Sequence, residues 1–410
     1  MLQKKVIIVG GGPAGLMSAQ IIASAGHQVK IYDAMPSFGR KFLLAGRGGL
    51  NLTHSQSFEK FIKNYFANQD WLEPCVKEFD ANDLQNWCHE LGQETFVGSS
   101  GRVFPKSMKT SPLLRNWLKK LDNLGVKFYP NHQWLGFDNQ DLIFKNRENN
   151  LINEQADATL LALGGSSWPQ LGSNGKWVDI LSNYDIKIAK LEPSNCGFIV
   201  NWSNYFSQKF AGTPLKSIAL THNNITHKGE FVITKNGIEG NAVYALSSYL
   251  RETIKKEGKA ILYLDLRPEM SLENLAKKLA IQNKKSFSNY LQKAGFADYT
   301  NSLLRELIGL DKINNANAHE LANYLKNLPI TLITTSDINR AISSAGGIKK
   351  ESFDDNFMLK NRAGIFVAGE MLDWEAPTGG YLLQACFSTA VRASKGVLKF
   401  LKVSRVKKIA

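Results

Sequence analysis

Several features that define specialised protein classes are absent from this sequence. None of its four cysteines stands in a C-x-x-C pair, so the sequence predicts neither a redox disulfide nor a zinc knuckle. No apolar run approaches the roughly 18 residues that a membrane span requires. A buried strand is predicted to begin at about Val6, which leaves no room for a signal peptide. We therefore expect a cytoplasmic protein.

Internal repeats and low-complexity segments are also absent. Hydrophobic residues make up 43% and charged residues 21% of the 410 residues, which is ordinary for a globular protein. Because this length is too great for one small core, we expect two compact units or a large domain with an inserted one. Cys88 and Cys386 lie in apolar stripes with helical spacing, which predicts that both are buried hydrophobic residues.

The charge is strongly unbalanced. A net charge of +14 and a pI of about 9.4 favour acidic partners such as nucleotides, nucleic acid or anionic substrates. The lysines are scattered, with pairs such as Lys284–Lys285, and the densest stretch runs from Lys395 to Lys408 with six basic residues and no acidic one. A solvated helix face explains that stretch, so nucleic-acid binding is the less favoured interpretation.

The N-terminus predicts a strand–helix–strand unit. Residues 6–9 form an apolar run that enters a glycine turn, as a buried parallel strand does. A helix is predicted from Pro13 to Ala25, ending at Gly26, and a second strand over residues 29–32 ends at Asp33.

Later segments predict the domain organisation. We expect a helix with Ser111 as its N-cap that stops at Gly125, and strands at 126–129, 158–163 and 364–368. The middle of the chain, from about residue 191 to residue 333, has a different sequence pattern, in which β-like runs are followed by helical stretches. We therefore predict an α/β fold whose Rossmann-like nucleotide-binding domain, assigned below to FAD, combines residues 1–190 and 334–410. Residues 191–333 would form an inserted α+β domain, with a β-barrel-like part and helices, on the substrate side.

The first chemical motif is VIIVGGGPAG at residues 6–15. Gly10, Gly12 and Gly15 fit G-x-G-x-x-G, whose glycines allow a tight turn, approach of the backbone to a pyrophosphate, and close packing of helix on strand. Asp33 follows Gly10 by twenty-three residues, where an acidic residue accepts hydrogen bonds from the adenosine ribose. The combination predicts a dinucleotide site, but it does not separate FAD from NAD.

The second motif favours FAD. Residues 364–370 read GIFVAGE, and residues 377–380 read PTGG before a helix predicted from Tyr381. This segment resembles the FAD-closing segment of glutathione-reductase-like flavoproteins, in which the acidic residue contacts the ribityl or phosphate region. The N-terminus of the following helix stabilises the negative charge of the reduced flavin near N1 and O2. The run from Leu160 to Gly165 resembles another strand-and-glycine segment of that fold, with Leu163 in place of the usual threonine.

Further segments widen this resemblance. They read GRKFLLAGRGGLNLTHS at 39–55, GRVFPKSMKTS at 101–111, PSNCGF at 193–198, GIEGNAVYALSSYLRE at 237–252, SSAGGI at 343–348 and GEMLDWEAPTGGYLLQA at 369–385. Together they resemble a bacterial family of NAD(P)/FAD-dependent oxidoreductases, called aminoacetone-oxidase-like, that includes a flavoprotein linked to bile-acid dehydroxylation. The resemblance covers nearly the whole chain and implies a discontinuous FAD domain, but no particular substrate.

The resemblance also implies a set of cofactor-binding residues. The adenosine and pyrophosphate half would be held by Gly10, Gly12, Pro13, Ala14, Gly15, Asp33, Arg40 and Lys41, with the backbone around Trp134 at the adenine. The flavin half would be held by Gly164, Gly369, Glu370, Gly380, Tyr381 and Leu382, with the loop Gly46, Arg47, Gly48 and Gly49 against the isoalloxazine. Glycines suit that loop because a backbone without side chains can lie flat on a ring. Relatives often have Arg-Cys-Asn here, where this chain has Gly49-Leu50-Asn51. The chain therefore lacks that cysteine, and no role of the cysteine carries over to it.

Other polar residues give weaker indications. His222 and His227 flank a predicted Asn223–Asn224 hairpin turn and lack further ligands at metal-binding spacing, so we predict no metal site. His54 follows the predicted flavin loop, where a histidine satisfied by its neighbours is more common than an acid or base. Arg47 would contact either an anionic substrate or a flavin phosphate.

These observations predict an FAD-dependent oxidoreductase that transfers a hydride to or from flavin N5, with non-covalent FAD and a small-molecule substrate. NAD(P)H is a possible electron donor, although no second G-x-G-x-x-G unit is present. A substrate that reduces the flavin, with oxygen as acceptor, is equally compatible. The alternatives are a nucleic-acid-associated flavoprotein, such as a tRNA-modifying enzyme, and a non-catalytic FAD-binding protein.

Overall fold

The computed structural model describes residues 3–280 and 287–403, and the chain divides into two compact units. The first unit combines Met1–Glu192 with Ser343–Ala410, and the second contains Pro193–Ile342. Lys284–Lys285 and the part of the basic stretch after Val403 lie outside the described residues. Among the described residues, every helix is too short or too polar to span a lipid bilayer.

The N-terminal part of the first unit alternates strands and helices. Its strands are β1 (Lys5–Val9), β2 (Gln28–Tyr32), β3 (Thr53–His54), β4 (Thr95–Val97), β5 (Arg102–Pro105), β6 (Lys127–Tyr129), β7 (Gln133–Asp138), β8 (Asp141–Lys145), β9 (Leu151–Glu154), β10 (Ala158–Leu161) and β11 (Ile188–Ser194). Its helices are α1 (Pro13–Ser24), α2 (Arg40–Ala45), α3 (Phe58–Ile62), α4 (Gln69–Glu78), α5 (Ala81–Glu90), α6 (Thr110–Asn123) and α7 (Trp177–Ser182).

The inserted unit mixes an antiparallel sheet with helices. Its strands are β12 (Phe198–Ile199), β13 (Pro214–His222), β14 (Ile225–Thr234), β15 (Gly237–Glu239), β16 (Ala260–Asp265), β17 (Leu328–Leu332) and β18 (Thr334–Thr335). Its helices are α8 (Asn204–Phe210), α9 (Asn241–Tyr244), α10 (Ser247–Glu257), α11 (Leu272–Ala280), α12 (Phe287–Lys293), α13 (Tyr299–Leu307), α14 (Leu310–Asn315) and α15 (Ala318–Lys326). The strands pair in the order β17-β16-β13-β14-β15-β12-β18.

The predicted hairpin of the inserted unit is confirmed. Strands β13 and β14 pair from His222 with Ile225 onwards, and Asn223 and Asn224 between them have φ of 46° and 63°. Two successive positive φ values match the twist of a two-residue hairpin, and asparagine tolerates them better than most residues.

The C-terminal part returns to the first unit with β19 (Ser343–Ile348), β20 (Ile365–Val367) and α16 (Tyr381–Val403). The strands β20-β10-β1-β2-β6 form a five-stranded parallel sheet in that order, which confirms the predicted α/β Rossmann-like fold. Helices α1 and α16 pack against each other. The central strands are apolar throughout because a parallel sheet is covered on both faces.

The predicted start of α6 is two residues too late. The helix begins at Thr110, its N-cap is Lys109 without a side-chain cap, and Ser111 lies inside the first turn. Thr110 is buried and packs closely against Gly46, so the helix begins before the expected cap. The predicted stop is confirmed, since Gly125 follows the helix with a φ of 79°.

Candidate cofactor site

The turn after β1 is fixed by backbone packing. Gly10 has a φ of 106°, and a Cβ atom there would lie 2.2 Å from the carbonyl oxygen of Ala162. A Cβ atom at Gly15 would lie 1.9 Å from the carbonyl oxygen of Gly10. Both glycines are therefore required by the fold itself, because any side chain would overlap neighbouring backbone.

Gly12 differs from its two neighbours in the motif. A Cβ atom there would meet no other atom of the described residues within 4 Å, and Gly12 is the N-cap of α1 without a side-chain cap. Pro13 occupies the first turn of the helix, and Ala14 packs against Gly369. The first backbone N–H groups of α1 thus face open space, which is the arrangement that binds a pyrophosphate.

Asp33 is held beside this helix start. Its Oδ2 accepts a hydrogen bond from the Gly11 N–H at 2.6 Å, and its Oδ1 accepts one from the Met35 N–H at 2.8 Å. Burial raises the pKa of Asp33, although both hydrogen bonds and the charge of Arg40 oppose the rise. A carboxylate fixed by backbone donors keeps lone pairs for ribose hydroxyls.

Arg40 fits an anionic ligand. Its Nη1 donates to Ser37 Oγ at 3.2 Å, while its buried Nε makes no hydrogen bond within the described residues. A buried guanidinium N–H without an acceptor is costly, and a phosphate oxygen would satisfy it.

Lys41 and Glu370 form the centre of a polar network. Lys41 Nζ lies 2.7 Å from Glu370 Oε2, and it donates to Ser167 Oγ at 2.9 Å and to Ser173 Oγ at 3.3 Å. Glu370 Oε1 accepts from the Ser344 N–H at 3.1 Å. The network joins α2, the loop after β10, β19 and the segment after β20, so it binds together the strand ends where a flavin cofactor would lie.

The start of α16 is held against β3. A Cβ atom at Gly380, whose φ is 96°, would lie 2.5 Å from the backbone of Thr53. Tyr381 is nearly buried, its ring stacks on His54 with centroids 5.7 Å apart, and its carbonyl oxygen accepts from Tyr65 Oη at 2.9 Å. Leu382 is partly buried beside the core.

The loop predicted to lie against the flavin is open in part. Gly46 packs on Thr110 and Gly49 has a φ of 110°, whereas Arg47 and Gly48 are exposed. A Cβ atom at Gly48 would meet nothing within 4 Å in the described residues. A loop with open space at Gly48 is compatible with a planar ring beside it.

The remaining predicted residues are Gly164 and Trp134, which are positioned by strands that belong to different sheets of the first unit. Gly164 follows β10 with a φ of 70°, and its carbonyl oxygen accepts from Trp177 Nε1 at 2.8 Å. Trp134 lies on β7, where its buried Nε1 makes no hydrogen bond within the described residues.

Two other residues have structural roles. His222 in the inserted unit is buried, with Nδ1 2.9 Å from Ile261 O and Nε2 2.9 Å from Thr253 Oγ1, so neighbouring oxygens engage both ring nitrogens. Cys386 is a free thiol whose pKa is raised to about 12 by burial. The prediction that Cys88 is buried is confirmed, while Cys386 retains intermediate exposure.

Sequence reasoning did not identify Ser167, Ser173 and Ser344 as partners of Lys41 and Glu370. Serines have no distinctive spacing, and the two contacts with Lys41 join segments more than a hundred residues apart along the chain, while Ser344 lies 26 positions before Glu370. Ser344 does lie in the SSAGGI segment that supports the family resemblance, and this was the only available signal.

The parallel sheet, the glycine turn and the polar strand ends define a dinucleotide-binding flavoprotein. The chain matches the family model described as "HI0933-like protein Rossmann domain" over residues 4–396. It therefore belongs to this family and is an FAD-dependent oxidoreductase.

Three similar proteins illustrate the range of the comparison. The chain is 24% identical to a 3-dehydro-bile acid delta(4,6)-reductase of Clostridium scindens, covering 95% of this chain and 98% of that protein. It is 23% identical to a ribosomal RNA dihydrouridine synthase of Haemophilus influenzae, covering 94% and 96%. Its fold resembles that of a 3-ketosteroid delta1-dehydrogenase from Sterolibacterium denitrificans, with a TM-score of 0.55, 11% identity, and coverage of 97% and 100%.

Proposed function

We propose that this chain is a reductase of carbon–carbon double bonds conjugated to a carbonyl group. The observation that carries the proposal is that relatives aligned over nearly the whole chain are named for this one reaction on different molecules. A delta(4,6)-reductase saturates ring double bonds of a 3-keto bile acid, and dihydrouridine is uridine with its carbonyl-conjugated 5,6 double bond saturated. Both reactions reduce a carbon–carbon double bond that is conjugated to a carbonyl group, and we assign this shared chemistry to the chain.

In this proposal the cofactor lies across the strand ends of the first unit. The open N-terminus of α1, Asp33 and Arg40 bind the adenosine and pyrophosphate part. Lys41 lies at the pyrophosphate and its partner Glu370 at the ribityl region, and Gly46–Gly49 with the start of α16 hold the ring. Bound FAD supplies a two-electron hydride carrier, while the protein binds and orients the substrate and excludes water.

A reduced nicotinamide is the electron donor in this proposal. The sequence has no second G-x-G-x-x-G unit, so NADH or NADPH would dock directly at the flavin instead of in a domain of its own. The inserted unit remains our proposed substrate side, because the glycine motifs of the first unit are assigned to the cofactor.

The test is an anaerobic absorption experiment on the purified full chain. Bands near about 370 and 450 nm, released on denaturation as free FAD, are expected. NADH or NADPH should bleach them, and a cyclic enone such as 2-cyclohexenone should then restore them with loss of the double bond. Bleaching without reoxidation by any enone would contradict the proposed substrate class, and resistance to both nucleotides would contradict the proposed donor.

A second candidate is reduction of a base in RNA. It is favoured by the ribosomal RNA dihydrouridine synthases of Haemophilus influenzae and Escherichia coli, which are 23% and 20% identical to this chain, and by its net charge of +14. The scattered lysines argue against a single binding surface. RNA retention that falls steeply between low and moderate salt would support this candidate, and no retention at low salt would exclude it.

A further inference from the structure

A second group of polar side chains adjoins the start of α16, and apart from Tyr381 the cofactor proposal does not use it. His54 on β3 and Arg102 on β5 are directly paired across the two strands, so their side chains are neighbours. Strand β3 is also where Thr53 contacts Gly380. The group therefore lies beside the helix start that we assign to the flavin ring.

His54 holds the group in one arrangement. Its Nδ1 accepts the Gln56 backbone N–H at 3.2 Å, so the ring carries its proton on Nε2. Burial lowers the pKa of His54, the neighbouring Arg102 lowers it further, and the Ser100 carbonyl opposes both, so the ring is neutral at pH 7. A neutral ring stacked on Tyr381 fixes the position of that phenol.

Arg102 lacks a counter-ion. It is partly buried, and it makes no ion pair or side-chain hydrogen bond within the described residues. Because the guanidinium has no carboxylate partner within the described residues, it is available to an oxygen atom of a ligand. Its charge nevertheless acts on both His54 and Tyr381.

One further donor lies in this group. The buried Gln56 Nε2 makes no hydrogen bond within the described residues. Burial raises the pKa of the Tyr381 phenol, and the neighbouring Gln56 side chain and Arg102 oppose that rise. The Gln56 amide and the Arg102 guanidinium thus lie beside the Tyr381 phenol, and an oxygen atom carrying negative charge would accept hydrogen bonds from them.

We propose that Arg102, the Gln56 amide and the Tyr381 hydroxyl bind the carbonyl oxygen of the substrate and stabilise the charge that it gains during reduction. The inference rests on the proposed function. A hydride adds to the β-carbon of the conjugated bond, the π electrons move onto the carbonyl oxygen as an enolate, and a proton from water completes the α-carbon. The two electrons come from the reduced nicotinamide nucleotide, which is oxidised. Donors aimed at a developing oxyanion act mainly on the transition state.

The test uses the full-length FAD-loaded protein and two probes. The first is 4-chlorophenol, whose phenolate resembles an enolate and whose binding is followed through the flavin absorption spectrum. The second is NADPH-driven reduction of 2-cyclohexenone. Arg102→Met should weaken phenolate binding by roughly 10-fold to 100-fold and lower kcat for the enone by about 100-fold. Arg102→Lys should recover part of the phenolate binding and part of kcat. Gln56→Ala should lower both quantities less than Arg102→Met does.

Controls separate this role from a structural one. Arg115→Met removes an exposed cation on α6 and should leave both readouts unchanged. Arg102→Met should keep the FAD content, the melting temperature and the rate of flavin reduction by NADPH of the unaltered protein. A melting temperature that falls with FAD loss would assign Arg102 a structural role and overturn the inference.

The outcomes distinguish the inference from the proposed function. Enone reduction that is unchanged in Arg102→Met overturns the inference and leaves the function standing. Phenolate binding that depends on Arg102, without reduction of any enone, supports the oxyanion site and overturns the function. Absence of both phenolate binding and enone reduction in the unaltered protein overturns both.

Discussion

The two units of the chain treat their buried polar groups differently. In the first unit, five buried side-chain atoms make no hydrogen bond within the described residues: Thr110 Oγ1, Asn51 Oδ1, Gln56 Nε2, Arg40 Nε and Trp134 Nε1. Such atoms are fewer among the described residues of the inserted unit, where both nitrogens of His222 are engaged and Tyr290 Oη donates to Leu279 O at 2.9 Å. Unsatisfied buried groups are rare and mark places where a ligand belongs. Substitutions at the unsatisfied groups of the first unit should therefore change ligand binding, whereas substitutions at satisfied groups such as His222 should change stability and leave FAD affinity unchanged.

The largest effect should come from Gly10→Ala. The new Cβ atom would lie 2.2 Å from backbone, at a φ of 106° that alanine avoids, so we expect destabilisation by more than about 3 kcal/mol and no bound FAD. Circular dichroism melting and the FAD absorbance of the purified protein measure both effects.

Gly12→Ala is the matched variant, because its Cβ atom meets nothing in the described residues within 4 Å. Its apoprotein should melt within about 1 °C of the original, while FAD should bind roughly tenfold to a hundredfold more weakly. Equal loss of stability in both variants would refute the distinction between packing and ligand-facing glycines.

A smaller effect is expected at the Lys41–Glu370 pair. Lys41→Met leaves a partly buried carboxylate without its cation and should cost about 2 kcal/mol of unfolding free energy, together with FAD affinity. Urea denaturation and FAD fluorescence titration measure the two losses.

The double variant with Glu370→Gln tests whether the pair acts as a unit. We expect it to be about 1 kcal/mol less destabilised than the sum of the single variants. Strict additivity would show that the two side chains do not depend on each other.

In the inserted unit, His222→Leu should lower stability without affecting FAD. The change removes both ring hydrogen bonds of a buried histidine and should cost about 1 to 3 kcal/mol. His227→Gln, which alters the less buried histidine of the same hairpin, should stay within about 0.5 kcal/mol. A change in FAD affinity in the His222 variant would break the comparison between the units.

The smallest effect tests a satisfied network in the first unit. Burial raises the pKa of Glu154, but hydrogen bonds from Lys30, Lys5 and Tyr32 outweigh it and bring the pKa to about 2. Because the ordinary value is 4.5, the carboxylate stabilises the fold above that pH, and this stabilisation is lost as the pH falls towards 2.

Partial exposure screens the pairs of Glu154, so we expect a loss of about 1 kcal/mol between pH 5 and pH 2 that Glu154→Gln does not show. Urea midpoints measured across that range provide the test, and FAD affinity at pH 7 should be equal in both proteins. Parallel pH profiles would contradict the assignment of the shift to Glu154.

The sequence predicted those parts of the fold that depend on local pattern. The β1–α1–β2 unit, the Asn223–Asn224 hairpin and the start of α16 were all anticipated, because apolar periodicity and glycine placement act over a few residues. The start of α6 was misplaced because Thr110 packs against Gly46, sixty-four positions earlier in the chain. The serines around Lys41 and the His54–Arg102 pair were not foreseen, since strand pairing and long-range folding bring them together.

The Lys41–Glu370 contact joins residues 329 positions apart, and it has a consequence for synthesis. The strand β20 and the glycines before α16 leave the ribosome only after the entire inserted unit has been translated. That unit is continuous in sequence and can fold first, whereas the parallel sheet of the first unit is complete only once β20 has been made. Cofactor loading is then a late event in the life of the molecule, and nascent chains arrested before Glu370 should emerge without flavin.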